Sequence, residues 1–125
     1  MEFKIDTKDN FTIIMPTTDR ISAKMADEIS ETCKKARQSG SKNFIIDLQH
    51  CLKIDQTAIK SLVILHEEMY SMDQSLVYTR MNKQVIDAIK EDETDLLLNI
   101  APEMNEAIDI ISMEILERDL LSEES

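Results

Sequence analysis

A single glycine, Gly40, and two prolines stand in 125 residues. One glycine cannot build a glycine-rich phosphate loop, so nucleotide binding of that kind is excluded. The breaks between elements must be signalled by other residues. Two cysteines, Cys33 and Cys51, are too few for a disulfide framework or a zinc set. One falls in a helical pattern and the other in a loop, so both read as reduced thiols. No apolar run approaches the roughly 20 residues of a membrane span. The start, Met1-Glu2-Phe3-Lys4-Ile5-Asp6, lacks the basic and apolar regions of a signal peptide, so a cytoplasmic location is expected. Basic residues are also scarce: 14 Lys and Arg against 25 Asp and Glu give a net charge of −11. Phosphate-rich partners such as DNA, RNA and anionic membranes repel such a chain. A basic protein is compatible with it. The two histidines, His50 in a loop and His66 on a helix face, have no carboxylate or cysteine at ligand spacing. No nucleophile, base and orienting group occur together, so neither metal, cofactor nor enzyme activity is expected.

What is present is a regular alternation. Residues 2–6 and 11–15 read as a hairpin joined by Thr7-Lys8-Asp9-Asn10, and Pro16 ends its second strand. Residues 21–38 fit a helix with Ile21, Met25, Ile29, Thr32, Cys33 and Ala36 on one face, stopped by Ser39-Gly40-Ser41. A strand over 43–48, a helix over 57–72 and a strand over 75–79 follow. A short helix over 82–90 and a fifth strand over 96–100 come next. Pro102 is placed in the first turn of a last helix, where its missing N–H costs nothing. The order ββαβαβαβα predicts an α/β fold: a mostly parallel sheet of about five strands with right-handed crossovers and four helices. Whether the helices cover one face or both is open. A single domain over 1–125 is expected.

The segment from Phe44 to Leu62 carries the chemistry. A buried strand, Phe44 to Leu48, crosses a polar loop to Asp55-Gln56-Thr57. From there apolar residues recur at 59, 62, 63, 66, 69 and 70, the rhythm of a helix with one buried face. A hydroxyl thus sits where a helix start exposes unpaired N–H groups, a position suited to phosphate. Thr57 reads as an N-cap worth about 1 kcal/mol, as a phosphosite, or as both. Asp55 reads as a capping or Asx-turn acid. Asp47, closing the strand, is expected to bond loop N–H groups. His66 falls on the apolar stripe and reads as a structural histidine. The eight methionines read as packing, with Met69, Met72 and Met81 candidates for an adaptable surface.

These residues resemble the STAS domain family of bacterial anti-sigma-factor antagonists. There, a strand ending in Asp-Leu leads to Asp-Ser-Ser-Gly-Leu at a helix start. Here the run is Asp47-Leu48, then Ile54-Asp55-Gln56-Thr57-Ala58-Ile59. The family's phosphoacceptor is the second serine of that motif, and it falls on Thr57. The family's acid after its second strand falls on Asp19, in Pro16-Thr17-Thr18-Asp19. The likeness spans about residues 3 to 112. Gln56 replaces the first serine, Ala58 replaces glycine, and Lys60 stands where a small residue is usual.

The resemblance implies a non-catalytic, partner-switching regulator. It would bind an anti-sigma kinase or similar protein through Asp19, Asp55, Gln56, Ala58, Lys60 and Ser61. Phosphorylation of Thr57 would release that partner, and a PP2C-like phosphatase would reset it. The alternative is a non-switching scaffold or accessory subunit of a stressosome-like or phospholipid-transport complex. Beyond residue 112 the pattern runs on through Ile115, Leu116, Leu120 and Leu121 among acids. Residues 113–125 read either as an extended last helix with a frayed acidic tail or as a strip for a homodimer or partner.

Overall fold

A computed structural model describes residues 3–124 of the chain. Met1, Glu2 and Ser125, within the expected domain and first strand, lie outside the described residues. The hairpin strands β1 (Phe3–Thr7) and β2 (Thr12–Pro16) pair antiparallel, from Phe3 against Pro16 to Thr7 against Thr12. The Lys8 N–H donates to the Phe11 carbonyl at 2.8 Å and closes their turn. A two-residue strand β3 (Arg20–Ile21) and helix α1 (Ala23–Gln38) follow. The chain continues through β4 (Phe44–Asp47), β5 (Lys53–Ile54), α2 (Gln56–Ser71), β6 (Leu76–Thr79) and α3 (Lys83–Glu91). It ends with β7 (Ile100–Ala101) and α4 (Met104–Glu124). The main sheet has the order β1-β2-β4-β6-β7, and every pair after the hairpin is parallel. β3 and β5 form a separate parallel pair.

Every residue of the central strands β4 and β6 is buried, as expected of parallel strands covered on both faces. Helices lie on both sides. Ile14, Phe44, Ile46, Leu76 and Tyr78 face a core completed by α1, α2 and α3, through residues such as Ile29, Leu62 and Val85. Ile45, Val77 and Ala101 face the opposite way, onto Ala107 and Ile111 of α4. His66 is half-buried, its ring 4.6 Å from that of Tyr70. Cys33 and Cys51 are free and fully buried. Burial pushes the Cys33 thiol up to about 12, with Arg37 acting weakly against it.

Four details depart from the sequence reading. Ile21 belongs to β3, and α1 starts after Ser22, whose Oγ accepts from the Met25 N–H at 3.2 Å. The strand expected over 96–100 is only Ile100–Ala101. Asp95–Leu97 instead form a 3-10 turn, and Leu96 is 93% exposed. The apolar triplet at 96–98 buries only Leu98, so its composition imitates a strand without a strand's burial. Pro102 precedes α4 rather than lying in its first turn, and the first helical bond runs from the Ala107 N–H to the Glu103 carbonyl at 3.1 Å. Finally, α2 begins at Gln56, one residue early, which changes the role of Thr57.

Apart from Gly40, which follows α1 at φ 105°, turns place other residues in the left-handed region. Asp73 (φ 57°) and Glu93 (φ 60°) end α2 and α3. After α2 the Gln74 N–H returns to the Met69 carbonyl at 3.0 Å, the wide bond of a Schellman-type end. α4 is held to the sheet by a polar cluster. Glu114 accepts from the Tyr70 hydroxyl at 2.7 Å and the Ser75 hydroxyl at 2.6 Å, and Arg118 donates to Asn43 at 3.3 Å and to Ser75. The last helix is therefore anchored to the sheet at Glu114 and Arg118, beyond Ser112.

Candidate functional site

The parallel strands β2, β4 and β6 all end at one edge of the sheet, and the start of α2 emerges there. The short β3–β5 pair builds the platform. The Asp19 carbonyl accepts from the Leu52 and Lys53 N–H groups at 2.6 and 3.1 Å. The Ile21 carbonyl accepts from the Asp55 N–H at 2.9 Å. The turn carrying Asp19 is thereby fixed against the residues that open α2. These two strands were absent from the sequence reading because a two-residue strand has no periodicity to detect.

Asp55 is the N-cap of α2, but only through its backbone. Its carbonyl accepts from the Ala58 and Ile59 N–H groups at 2.9 and 3.2 Å. Its carboxylate is turned away, and Oδ1 accepts from both Nε and Nη2 of Arg20 at 2.8 Å. Thr57 is thus not the cap. It is the second helical residue, exposed, and its hydroxyl has no hydrogen-bond partner among the described residues. The N–H groups of Gln56 and Thr57 have no protein acceptor there either. An open helix terminus and a free hydroxyl therefore coincide, and the terminal dipole favours negative charge by about 0.3–1 kcal/mol.

Gln56 and Lys60 are also exposed, and Ser61 is half-buried. Spacing of four residues puts Gln56 beside Lys60 and Thr57 beside Ser61. The Gln56 amide donates to Asp92 Oδ1 at 3.2 Å, across to the end of α3. Between α2 and α3 lies a shallow hollow of about 290 Å³ lined by Ile54, Gln56, Ile59, Ala88, Glu91 and Asp92. Asp19 is exposed and Asp55 half-buried. Ala58 differs from its expected place on this surface. It is fully buried in the α1–α3 core, because it lies on the inner face of α2, and has no area to offer a partner.

A second set of residues supports the loop into α2. Asp47, its side chain 2% exposed, accepts from the Gln49 N–H at 3.1 Å and from Arg80 Nη2 at 2.8 Å. This is the structural role expected of it, with Arg80 as an added partner. Asn82 donates to the Cys51 carbonyl at 2.7 Å and the Gln49 carbonyl at 3.2 Å. Asn82 is the N-cap of α3 by position yet makes no side-chain cap bond. Arg80 has φ 57°. Neither residue was singled out in the sequence, because their partners are more than 30 positions away. Burial pushes the Cys51 thiol up to about 11, with Asp19 and then Asp47 adding to it. Among the described residues no group of His, Cys, Asp and Glu could hold a metal ion.

The STAS domain family model matches residues 2–112. The chain belongs to the STAS domain family. No curated protein matches this sequence. An anti-sigma factor antagonist from Mycobacterium paratuberculosis superposes with a TM-score of 0.74 at 12% identity, covering 88% of this chain and 92% of its own. RsbS of Moorella thermoacetica gives 0.72 at 16% identity, with 94% and 99% covered. The anti-sigma factor antagonist SpoIIAA in its unphosphorylated form gives 0.69 at 12% identity, with 88% and 96% covered. At these identities the likeness establishes the fold, in agreement with the mostly parallel sheet and four helices read from the sequence.

Proposed function

We propose that this STAS domain is a non-catalytic, cytoplasmic partner-switching regulator controlled by phosphorylation of Thr57. The observation that carries the reading is the unpartnered Thr57 hydroxyl on an open, exposed helix start, beside the fixed Asp19 turn. SpoIIAA, which shares the fold, is known in both unphosphorylated and phosphorylated forms. The unmodified surface of Asp19, Asp55, Gln56, Lys60 and Ser61 binds an anti-sigma factor or similar serine kinase. A phosphate on Thr57 adds about −1.5 to −2 charges and three acceptor oxygens. The helix terminus accommodates this charge locally. In the contact surface, the added bulk and charge expel the partner, and a PP2C-like phosphatase restores binding.

The test is binding of the partner regulator by wild type, Thr57→Ala and Thr57→Glu, with intact mass of the protein from its native cell. The reading expects one phosphate on Thr57, retained binding for Thr57→Ala and binding at least tenfold weaker for Thr57→Glu. Equal binding by all three would refute the switch and leave the non-switching scaffold or accessory subunit as the function of this surface.

A further inference from the structure

α4 is apolar on two sides. Its inner side, with Ala107 and Ile111, packs on the sheet. Its outer side carries Met113, Leu116, Leu120 and Leu121, which are 62, 59, 51 and 66% exposed. Met113, Leu116 and Leu120 are spaced i, i+3 and i+7, the spacing of a helix-pairing seam. A surface helix normally confines its apolar residues to one stripe. Residues 119–123 are all exposed, although the helix continues to Glu124. Large apolar side chains left exposed on a helix gain stability when they are covered.

Charge selects the cover. Asp109, Glu117, Asp119 and Glu123 flank the seam and are exposed. The one basic residue of α4, Arg118, is turned inward to Asn43, Ser75 and Glu114. A second copy laid on this face would meet only like charges, in a chain already at −11. We infer that the outer face of α4 is a docking site for an amphipathic helix with a leucine seam and Lys or Arg flanks, supplied by a partner protein. From Met113 to Leu120 the seam is about 10 Å long at 1.5 Å per residue, which two turns of a partner helix cover. The site lies on the opposite side of the sheet from the α1–α3 core, so it is distinct from the Thr57 surface.

The probe is a synthetic 21-residue helical peptide with a leucine seam and lysine flanks, titrated onto the full chain by calorimetry. A peptide with the same seam and glutamate flanks is the control. The lysine peptide is expected to bind at least tenfold more tightly than the control, and more weakly as salt rises. Leu116→Asp/Leu120→Asp is decisive, because it adds negative charge while removing the seam. It should weaken binding at least tenfold, whereas mere charge attraction would strengthen it. Glu117→Lys/Asp119→Lys keeps the seam and helix propensity and should also weaken binding about tenfold. Equal binding of the two peptides, or undiminished binding by the seam variant with its helix content intact, overturns the proposal. So does a wild-type dimer in light scattering that the seam variant dissolves, which would assign the face to a second copy.

Discussion

Replacing Asp47 by Asn removes one charge and almost no volume, so its cost isolates the electrostatics of the loop into α2. The Asp47 side chain is 2% exposed and that of Arg80 is 38% exposed, at 2.8 Å. A wholly buried pair broken on one side costs about 3–5 kcal/mol, while an exposed pair is worth about 0–1 kcal/mol. Arg80 keeps partial access to water, so the cost lies between these limits, about 2 kcal/mol. Arg80 Nε already lacks a partner, so no second protein bond compensates. For 125 residues this corresponds to a fall in Tm of about 6–10 °C. Thermal and urea unfolding of Asp47→Asn, Arg80→Met and the double variant close a mutant cycle. The expected coupling is at least about 1 kcal/mol. Hydrogen exchange of the Leu48 and Cys51 amides, bonded to Thr79 and Leu48 at 2.9 and 3.0 Å, should accelerate in parallel. A Tm loss below about 2 °C, or additive single effects, would refute the claim that this pair braces the loop.

Thr57→Ala should change stability by no more than about 0.5 kcal/mol, since Thr57 is not the cap and its hydroxyl bonds nothing; a loss above about 1 kcal/mol in urea unfolding would restore a capping role. Glu93→Gly should stabilise by about 0.5–1 kcal/mol, because glycine relieves φ 60° at a smaller entropic cost; an unchanged or lower urea midpoint would contradict this. The Cys33, Cys51 and Tyr70 groups, pushed up by burial to about 12, 11 and 12, stay protonated in the folded chain while the unfolded chain releases those protons, so stability should fall as pH rises past about 9. Native thiols should accordingly resist a disulfide reagent at pH 8 and react on unfolding. Burial lowers His66 below its ordinary 6.5, against weaker opposing pulls from Glu114 and Glu67. Its contribution is present above pH 6.5 and lost as pH falls, so His66→Gln should show a shallower Tm loss between pH 7 and 5 than wild type.

The parts of this fold legible in the sequence are those with repeated burial. β4 and β6 are buried on both faces and read as continuous apolar runs. α1, α2 and α3 each repeat an inward residue every three or four positions, and this spacing predicts their ends to within one or two residues. The Leu96-Leu97-Leu98 run failed as a strand because composition without alternation does not say which side chains turn inward. The candidate site was legible only where it is local. Thr57 follows a strand, a loop and an acid in sequence, and the helix starts within one residue of where the pattern puts it. Asp55 caps α2 through its backbone alone, because Arg20, 35 positions earlier, takes its carboxylate. Ala58 shows the same limit from the other side. One residue beyond an exposed Thr57, the helix has already turned its side chain into the core. Arg80 and Asn82 support the loop through bonds that no local pattern announces.

The two surfaces of this domain are joined by β6. Its first neighbour, Ser75, is bonded by Glu114 and Arg118 of α4. Its last, Arg80, holds Asp47 beneath the loop into α2. Between them Leu76 to Thr79 are fully buried and all pair with β4, while Tyr78 and Thr79 also pair with β7. A strand so enclosed is held firmly in this arrangement, and a claim of coupling between sites needs an element shown to have two. Along β6 the described residues offer no such element to a charge on Thr57. Its effect stays at the surface where it lands, through repulsion and bulk against whatever binds there, while the outer face of α4 remains as it was. If Thr57 is phosphorylated and α4 docks a partner helix as proposed, the domain loses one partner while retaining the other, which a single shared surface could not do.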